Sequence, residues 1–139
     1  MINFKILEEK NIHSIIPFLK ILNDSISDDV LKERLDEMIS QGYQCIGIFD
    51  DDELIGISGI WIVTKYYIGR LIEPDNVIIS PEYQNKNIGH MLMEWIDDYA
   101  KTNGCVASEV NCFVHNERAH RFWEKEGYRV IAKHFQKKY

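Results

Sequence analysis

The segment from Leu71 to Val114 restricts the fold more than any other part of this sequence. Leu71 to Ser80 is an apolar, β-branched run stopped by Pro81, as a strand would be. Beyond a polar loop, Ile88, Met91, Leu92, Trp95, Ile96 and Tyr99 recur at intervals of three and four residues, which lines one face of a long helix, and Gly104 follows as a glycine that ends it. Val106 to Val114 returns to a strand pattern. A strand, a long helix and a second strand in this order make a crossover unit, and such a crossover joins parallel strands. The chain is therefore expected to be an α/β protein with a mixed sheet.

The flanking elements extend this plan. Ile2, Phe4 and Ile6 alternate with Asn3 and Lys5, the pattern of a half-buried first strand. From Asn11, the residues Ile12, Ile15, Ile16, Leu19 and Leu22 form a helical stripe, but Pro17 falls inside it and predicts a kink or a late helix start. Ser27 caps a second helix whose first turn carries Asp28 and Asp29 and whose apolar face is Leu31, Leu35, Met38 and Ile39. Tyr43–Phe49 and Leu54–Val63 read as an antiparallel hairpin around the acidic turn at 50–53. Asn116 opens a short helix through Phe122 and Trp123, Gly127 ends it, and Tyr128–Phe135 is expected to form a final strand. No repeat, linker or low-complexity tract interrupts residues 1–139, so one domain is expected.

With 45% hydrophobic and 27% charged residues, a chain of 139 residues has enough apolar side chains for a core without disulfide or metal staples. The net charge of −6 argues against a general nucleic-acid binder. Charge is uneven: residues 1–100 hold 8 basic and 18 acidic side chains, whereas 101–139 hold 8 basic and 4 acidic. The last quarter is thus either a solvated basic surface or a face turned to an anion. Cys45, Cys105 and Cys112 are odd in number and lack C-x-x-C spacing, which fits a reducing cytoplasm better than a disulfide framework or a zinc site. No cluster of ligands suggests a required metal. The amino terminus reaches charge too early for a signal peptide, and no apolar run approaches the ~20 residues of a membrane span, so a cytoplasmic protein without a membrane partner is expected.

The loop between the strand and the long helix, Ser80 to His90, carries the chemical signal. It opens a helix with unpaired backbone N–H groups at the positive end of the helix dipole, an arrangement that attracts phosphate. Gly89 permits close approach of a ligand or a neighbouring backbone, and Lys86 adds positive charge. These local features alone fit an ordinary strand-to-helix turn equally well, and neither a Rossmann nor a Walker glycine pattern is present.

Two motifs, however, resemble those of the GNAT N-acetyltransferases. Gln84-Asn85-Lys86-Asn87-Ile88-Gly89 resembles the family's acetyl-CoA motif Q/R-x-x-G-x-G/A, and Asn116, Ala119, Phe122, Lys125, Gly127 and Tyr128 match its carboxyl-terminal motif N-x-x-A-x-x-F/L-Y-x-K-x-G-F/Y. The two stand at the family's separation, and the order of elements matches over essentially the whole chain. Residues 119–122 and 126–128 look most like members that acetylate small amines, aminoalkylphosphonates included. The resemblance implies a single-domain fold with a mixed central sheet of about six to seven strands and about four flanking helices. It further implies that acetyl-CoA is the co-substrate. The backbone of Ile78, Ile79 and Ser80 would pair with pantetheine, and the amides of Gln84, Asn85, Lys86, Asn87, Ile88, Gly89 and His90 would cradle the pyrophosphate. Asn116, Phe122 and Trp123 would border the thiol end.

Two positions depart from the pattern. Asn87 replaces the first motif glycine, and asparagine is the residue that best tolerates positive φ in its place. Trp123 replaces the tyrosine that in many members protonates the departing thiolate, and an indole N–H is no acid near neutral pH. Tyr128 or water is then the candidate acid, or none is needed. Glu73 and Asp75 share strand parity and are the candidate bases, with Glu109 and His115 behind them. Tyr66, Tyr67 and Arg70 are expected near the acceptor pocket, Arg70 either as a surface residue or as the partner of an anionic acceptor. The leading expectation is direct transfer of acetyl from acetyl-CoA to a primary amine of a small molecule. The alternatives are a GNAT-fold acyl-CoA-binding module with weak turnover and a protein or peptide N-acetyltransferase. Homodimerisation through the hairpin or the final strand is compatible with the pattern.

Overall fold

The computed structural model describes residues 1–139, with a sheet whose two faces are both covered. Strand β1 spans Ile2–Ile6, and a 3-10 segment, Glu9–Ile15, leads into helix α1, Ile16–Leu22. Pro17 stands in the first turn of α1, so the expected late start is what occurs: proline there surrenders no helical hydrogen bond. Helix α2 spans Asp28–Ser40, and the Ser27 hydroxyl accepts from the Val30 amide at 3.2 Å. Strands β2, Gln44–Asp50, β3, Glu53–Lys65, and β4, Gly69–Ile79, follow as antiparallel neighbours. A 3-10 turn, Pro81–Tyr83, then leads to helix α3, Ile88–Thr102. Strand β5 is Ala107–Ser108 and helix α4 is Glu117–Lys125.

The five strands lie in sequence order, and only the β4–β5 pair is parallel, as the crossover through α3 requires. Helix α3 buries Ile88, Leu92, Met93, Ile96 and Ala100 against one face of the sheet, beside Ile46, Ile48, Ile60 and Ile72. Helices α1 and α2 cover the other face with Ile16, Phe18, Leu31 and Leu35, beside Tyr43, Cys45, Ile57 and Ile78. Each of these large side chains contributes roughly 1.5–3 kcal/mol when fully buried, so the two layers hold the sheet from both sides. No helix is long and apolar enough to cross a membrane.

Two sequence expectations are corrected. The strand expected over Val106–Val114 shrinks to Ala107–Ser108, and Tyr128–Phe135 forms no strand, so the sheet has five strands rather than about six to seven. Both segments carry apolar, β-branched residues, but strand formation needs an edge to pair with, and beyond Ser108 neither finds one. In the core, Gly59 lies under the Tyr43 ring, where any β-carbon would collide with it. Gly59→Ala should therefore destabilise the fold by about 1–3 kcal/mol, as overpacking does, measured by urea denaturation against the parent chain; an unchanged midpoint would mean that Tyr43 moves freely.

Candidate active site

The site begins where β4 loses its neighbour. Residues along a strand send their backbone groups alternately to one edge and the other. The Arg70 and Ile72 carbonyls accept from the Val106 and Glu109 amides at 2.8 and 3.0 Å, so these residues face β5. The β4–β5 pairing ends there, with Leu71 opposite Ala107 and Ile72 opposite Ser108. Pro74 is next in the series, and its absent N–H would have pointed at the open edge, which explains how a proline sits in a buried strand without breaking a ladder bond.

A bulge then reverses the alternation. Ile57 faces Ile78 and Gly59 faces Asp75, so Ser58 alone opposes Asn76 and Val77, and Asn76 adopts a left-handed φ of 55°. Past the bulge, the Ser80 amide donates to the Ile55 carbonyl of β3 at 2.9 Å. By alternation Val77 and Ile79 turn their backbone groups to the open edge, while Ile78 and Ser80 turn theirs to β3. Of the three residues expected to present backbone to pantetheine, Ile79 faces the cleft, and Val77, which the sequence did not mark, joins it. The Gln84 side chain donates to the Ile79 carbonyl at 3.1 Å.

The loop that follows is a row of free donors. Asn85 and Asn87 are left-handed, with φ of 62° and 65°, and Asn87 immediately precedes α3. Asparagine thus does at Asn87 what the motif glycine would do. The backbone N–H groups of residues 85–90 donate to no atom of the protein. Such a run at the start of a long helix fits a diphosphate, which would satisfy donors that otherwise need water. Arg118 of α4, unmarked by the sequence reading, donates through Nη1 to Gln84 Oε1 at 3.2 Å and brings a guanidinium to this loop. Lys86 instead lies over the Tyr83 ring, 5.5 Å from its centroid. Tyr83 donates to Asp50 at 2.8 Å, and that carboxylate pushes the phenol up to about 12.

Helix α4 is fastened to the loop through α3. A β-carbon on Gly89 would stand 2.9 Å from Cε1 of Phe122, so the glycine leaves room for an aromatic ring of α4. His90 Nδ1 is 2.9 Å from Glu126 Oε1, and the Glu126 side chain is buried. Asn116 caps α4, accepting from the Ala119 amide at 3.1 Å. Trp123 lies edge-on to Phe122 and to Tyr128, with centroids 5.0 and 5.1 Å apart. The Tyr128 hydroxyl is 2.6 Å from Ser108 Oγ at the end of β5, and burial pushes its pKa up, keeping the phenol protonated.

The carboxylates lie on the other face. Glu73 is opposite Trp61, whose indole N–H donates to Asp75 Oδ2 at 3.0 Å, so Glu73 and Asp75 do share the face covered by α1 and α2. Tyr67 donates to Glu109, 2.7 Å from both carboxylate oxygens, and Asn111 donates to Glu73 at 3.4 Å. None of the three carboxylates takes part in an ion pair. Burial, reinforced by the charge of Asp75 and opposed by the Asn111 hydrogen bond, holds the Glu73 carboxyl above the usual range. Arg70 is committed elsewhere, donating through Nε to the Asn103 carbonyl at 2.8 Å, so it is not held toward an anionic acceptor. No group of His, Cys, Asp or Glu is arranged to hold a metal ion.

Against this geometry the relatives are informative. The sequence model of the acetyltransferase (GNAT) family matches residues 12–128. The chain is 24% identical over 109 residues to the glucosamine 6-phosphate N-acetyltransferase of Arabidopsis thaliana, covering 74% of this chain and 71% of that protein. It is 29% identical over 71 residues to the aminoalkylphosphonate N-acetyltransferase of Salmonella typhimurium, covering 51% of this chain and 44% of that protein. In three dimensions it superposes on the aminoglycoside N-acetyltransferase AAC(6')-Iy in complex with CoA with a TM-score of 0.85 at 11% identity, covering 100% of this chain and 95% of that one. The crystal structure of the Arabidopsis thaliana enzyme gives 0.73 at 21% identity, covering 100% and 99%. The chain belongs to the GNAT family of acetyltransferases, and it is an acetyl-CoA-dependent N-acetyltransferase.

Because folding raises the Glu73 pKa, the protonated form is the one that folding favours. That contribution to stability is present below the ordinary carboxyl value and is lost as pH rises through the raised one. Glu73→Gln should therefore raise the melting temperature at about pH 7 and leave it nearly unchanged at about pH 3. Melting curves at the two pH values check this; an equal shift at both would mean that ionisation of Glu73 is not what opposes folding.

Proposed function

We propose that the enzyme acetylates a primary amine of a small cationic molecule, with the amine entering over Glu73, Asp75 and Glu109. The observation that carries this reading is a set of three carboxylates on β4 and just past β5, none in an ion pair, while Arg70 is tied to the Asn103 carbonyl. An ammonium group is attracted to such a set, and a phosphate or phosphonate on the acceptor is repelled from it. A linear polyamine or an aminoglycoside fits; an amine carrying phosphate does not.

The roles follow from position. The free amides of 85–90 with Arg118 would hold the diphosphate of acetyl-CoA, and the backbone of Val77 and Ile79 would hold its pantetheine arm along the open edge. Attack requires the uncharged amine, so Glu73 or Asp75 takes a proton from the ammonium form, directly or through water. The nitrogen lone pair then attacks the thioester carbonyl, the C–N bond forms, the C–S bond breaks, and the nitrogen sheds its second proton to water to become the amide. Tyr128, across the cleft beside Ser108, supports the departing thiolate with its hydroxyl proton. Proton removal and donation thus occur on opposite sides of the sheet. The Trp123 indole packs against Tyr128 and helps fix that ring.

Thiol release measured with acetyl-CoA and a panel of amines tests the acceptor class. A polyamine or aminoglycoside should exceed glucosamine 6-phosphate and an aminoalkylphosphonate at least tenfold in kcat/KM, and the gap should narrow as salt screens the carboxylates. Preference for a phosphorylated acceptor would overturn the assignment. Glu73→Gln and Asp75→Asn should between them include a variant whose turnover falls about 10²-fold or more, the range for a general base, with acetyl-CoA affinity unchanged by calorimetry. Arg118→Ala should weaken acetyl-CoA binding several-fold, as loss of a charge-assisted contact does, without changing the amine preference.

A further inference from the structure

Glu126, which follows the last residue of α4, is a carboxylate held by a single ring. Its side chain is only 7% exposed, and the one ion pair it makes is with His90, whose Nδ1 lies 2.9 and 3.0 Å from its two oxygens. On the other side of the ring, His90 Nε2 is 3.4 Å from Glu94 Oε1, one turn along α3. Neither Glu94 nor Glu126 pairs with a lysine or an arginine. A neutral imidazole has one N–H and serves one of these carboxylates; only the imidazolium form donates to both. A neutral ring also leaves the charge of buried Glu126 unbalanced, which is costly.

His90 is the third residue of α3, in the same turn as the free amides that end the loop at 85–90. The positive end of the helix disfavours a cation here, while two carboxylates favour one. A diphosphate on those amides would add its negative charge to theirs. We infer that His90 is a positioning residue whose imidazolium form assembles the co-substrate site, so that acetyl-CoA and a proton on His90 each strengthen the binding of the other. This rests on the proposed placing of the diphosphate at residues 85–90. The coupling runs through contacts already named: charged His90 holds Glu126, Glu126 fixes the end of α4, and α4 brings Arg118 to Gln84 at the start of the loop. The other ionisable groups around the pair are Asp97 of α3 and Tyr128 beyond α4; burial, followed by charges that include Glu126, pushes both up. Because a binding coupling is reciprocal, an anion that makes the ring hold its proton more tightly is itself held more tightly by the protonated ring. Affinity is therefore highest at low pH and falls as His90 loses its proton.

Calorimetric titration of the full chain with dephospho-CoA tests the coupling, because this probe keeps the diphosphate and lacks the phosphate monoester, which would titrate in the same range. Affinity of the parent should fall about fivefold or more between about pH 6 and about pH 8.5. His90→Gln should bind weakly at both pH values, as the parent does at the higher one. His90→Lys, which keeps its charge throughout, should bind tightly at both. Parallel pH curves for the parent and His90→Gln would overturn the coupling, and so would a His90→Lys affinity that falls with pH as the parent's does. Glu126→Gln leaves the histidine in place and removes the buried charge, so its pH dependence should shrink; a curve as steep as the parent's would equally overturn the inference. Arg118→Ala, titrated alongside, separates this inference from the reading beneath it. Unchanged affinity there would remove the diphosphate from this loop and the coupling with it, whereas weakened affinity together with parallel curves for the parent and His90→Gln would leave the loop standing and remove the coupling alone.

Discussion

The parallel pairing of β4 with β5 lasts for two residue pairs, and the rest of the site depends on its stopping there. Beyond Ile72, β4, the last long strand of the sheet, has an edge without a partner. Pro74 is tolerated because its missing donor faces that edge, and the bulge at Asn76 and Val77 turns the backbone of Val77 and Ile79 toward it. The strand then ends at the amide-rich start of α3. An open edge leading into a row of free amides leaves one continuous path of unpaired backbone donors and acceptors. Neither half of it is made by a side chain.

The side chains serve to hold that backbone in place. Gly89 admits Phe122, His90 meets Glu126, Gln84 meets Arg118, and Asn116 caps α4, so the short α4 is fixed to the loop at several points despite burying no residue of its own completely. The acid candidate Tyr128 hangs from the end of this helix and is steadied by Ser108 and Trp123. On the opposite face Trp61 steadies Asp75 and Asn111 steadies Glu73. The candidate acid and the candidate bases therefore lie on opposite faces of the sheet.

The two departures from the family's motifs have a common physical explanation. Asn87 keeps the left-handed turn that glycine would make, so the amides still converge. Trp123 cannot donate a proton as an acid, but it packs edge-on against the tyrosine that can. At Asn87 the backbone conformation of the lost glycine is retained, and at Trp123 the indole stands against a neighbouring tyrosine.

Periodicity was sufficient for α2, α3 and β1, and apolar, β-branched runs for β2 to β4, because these signals are local, and the paired motifs were sufficient for the family. The loop at 84–90 was legible for the same reason: its conformation is local, set by two asparagines and a helix start. What the sequence by itself left undecided are matters of pairing. Val106–Val114 and Tyr128–Phe135 have strand-like composition, but a strand exists only when another edge meets it, and composition does not say which edge is near. The open-edge role of Val77, the reach of Arg118 to Gln84, the commitment of Arg70 to Asn103 and the gathering of Glu73, Asp75 and Glu109 all join residues far apart in the chain. Those contacts were decided by the tertiary structure, because a one-residue bulge reverses every later backbone direction in a strand, and no single-strand pattern records where its neighbour slips.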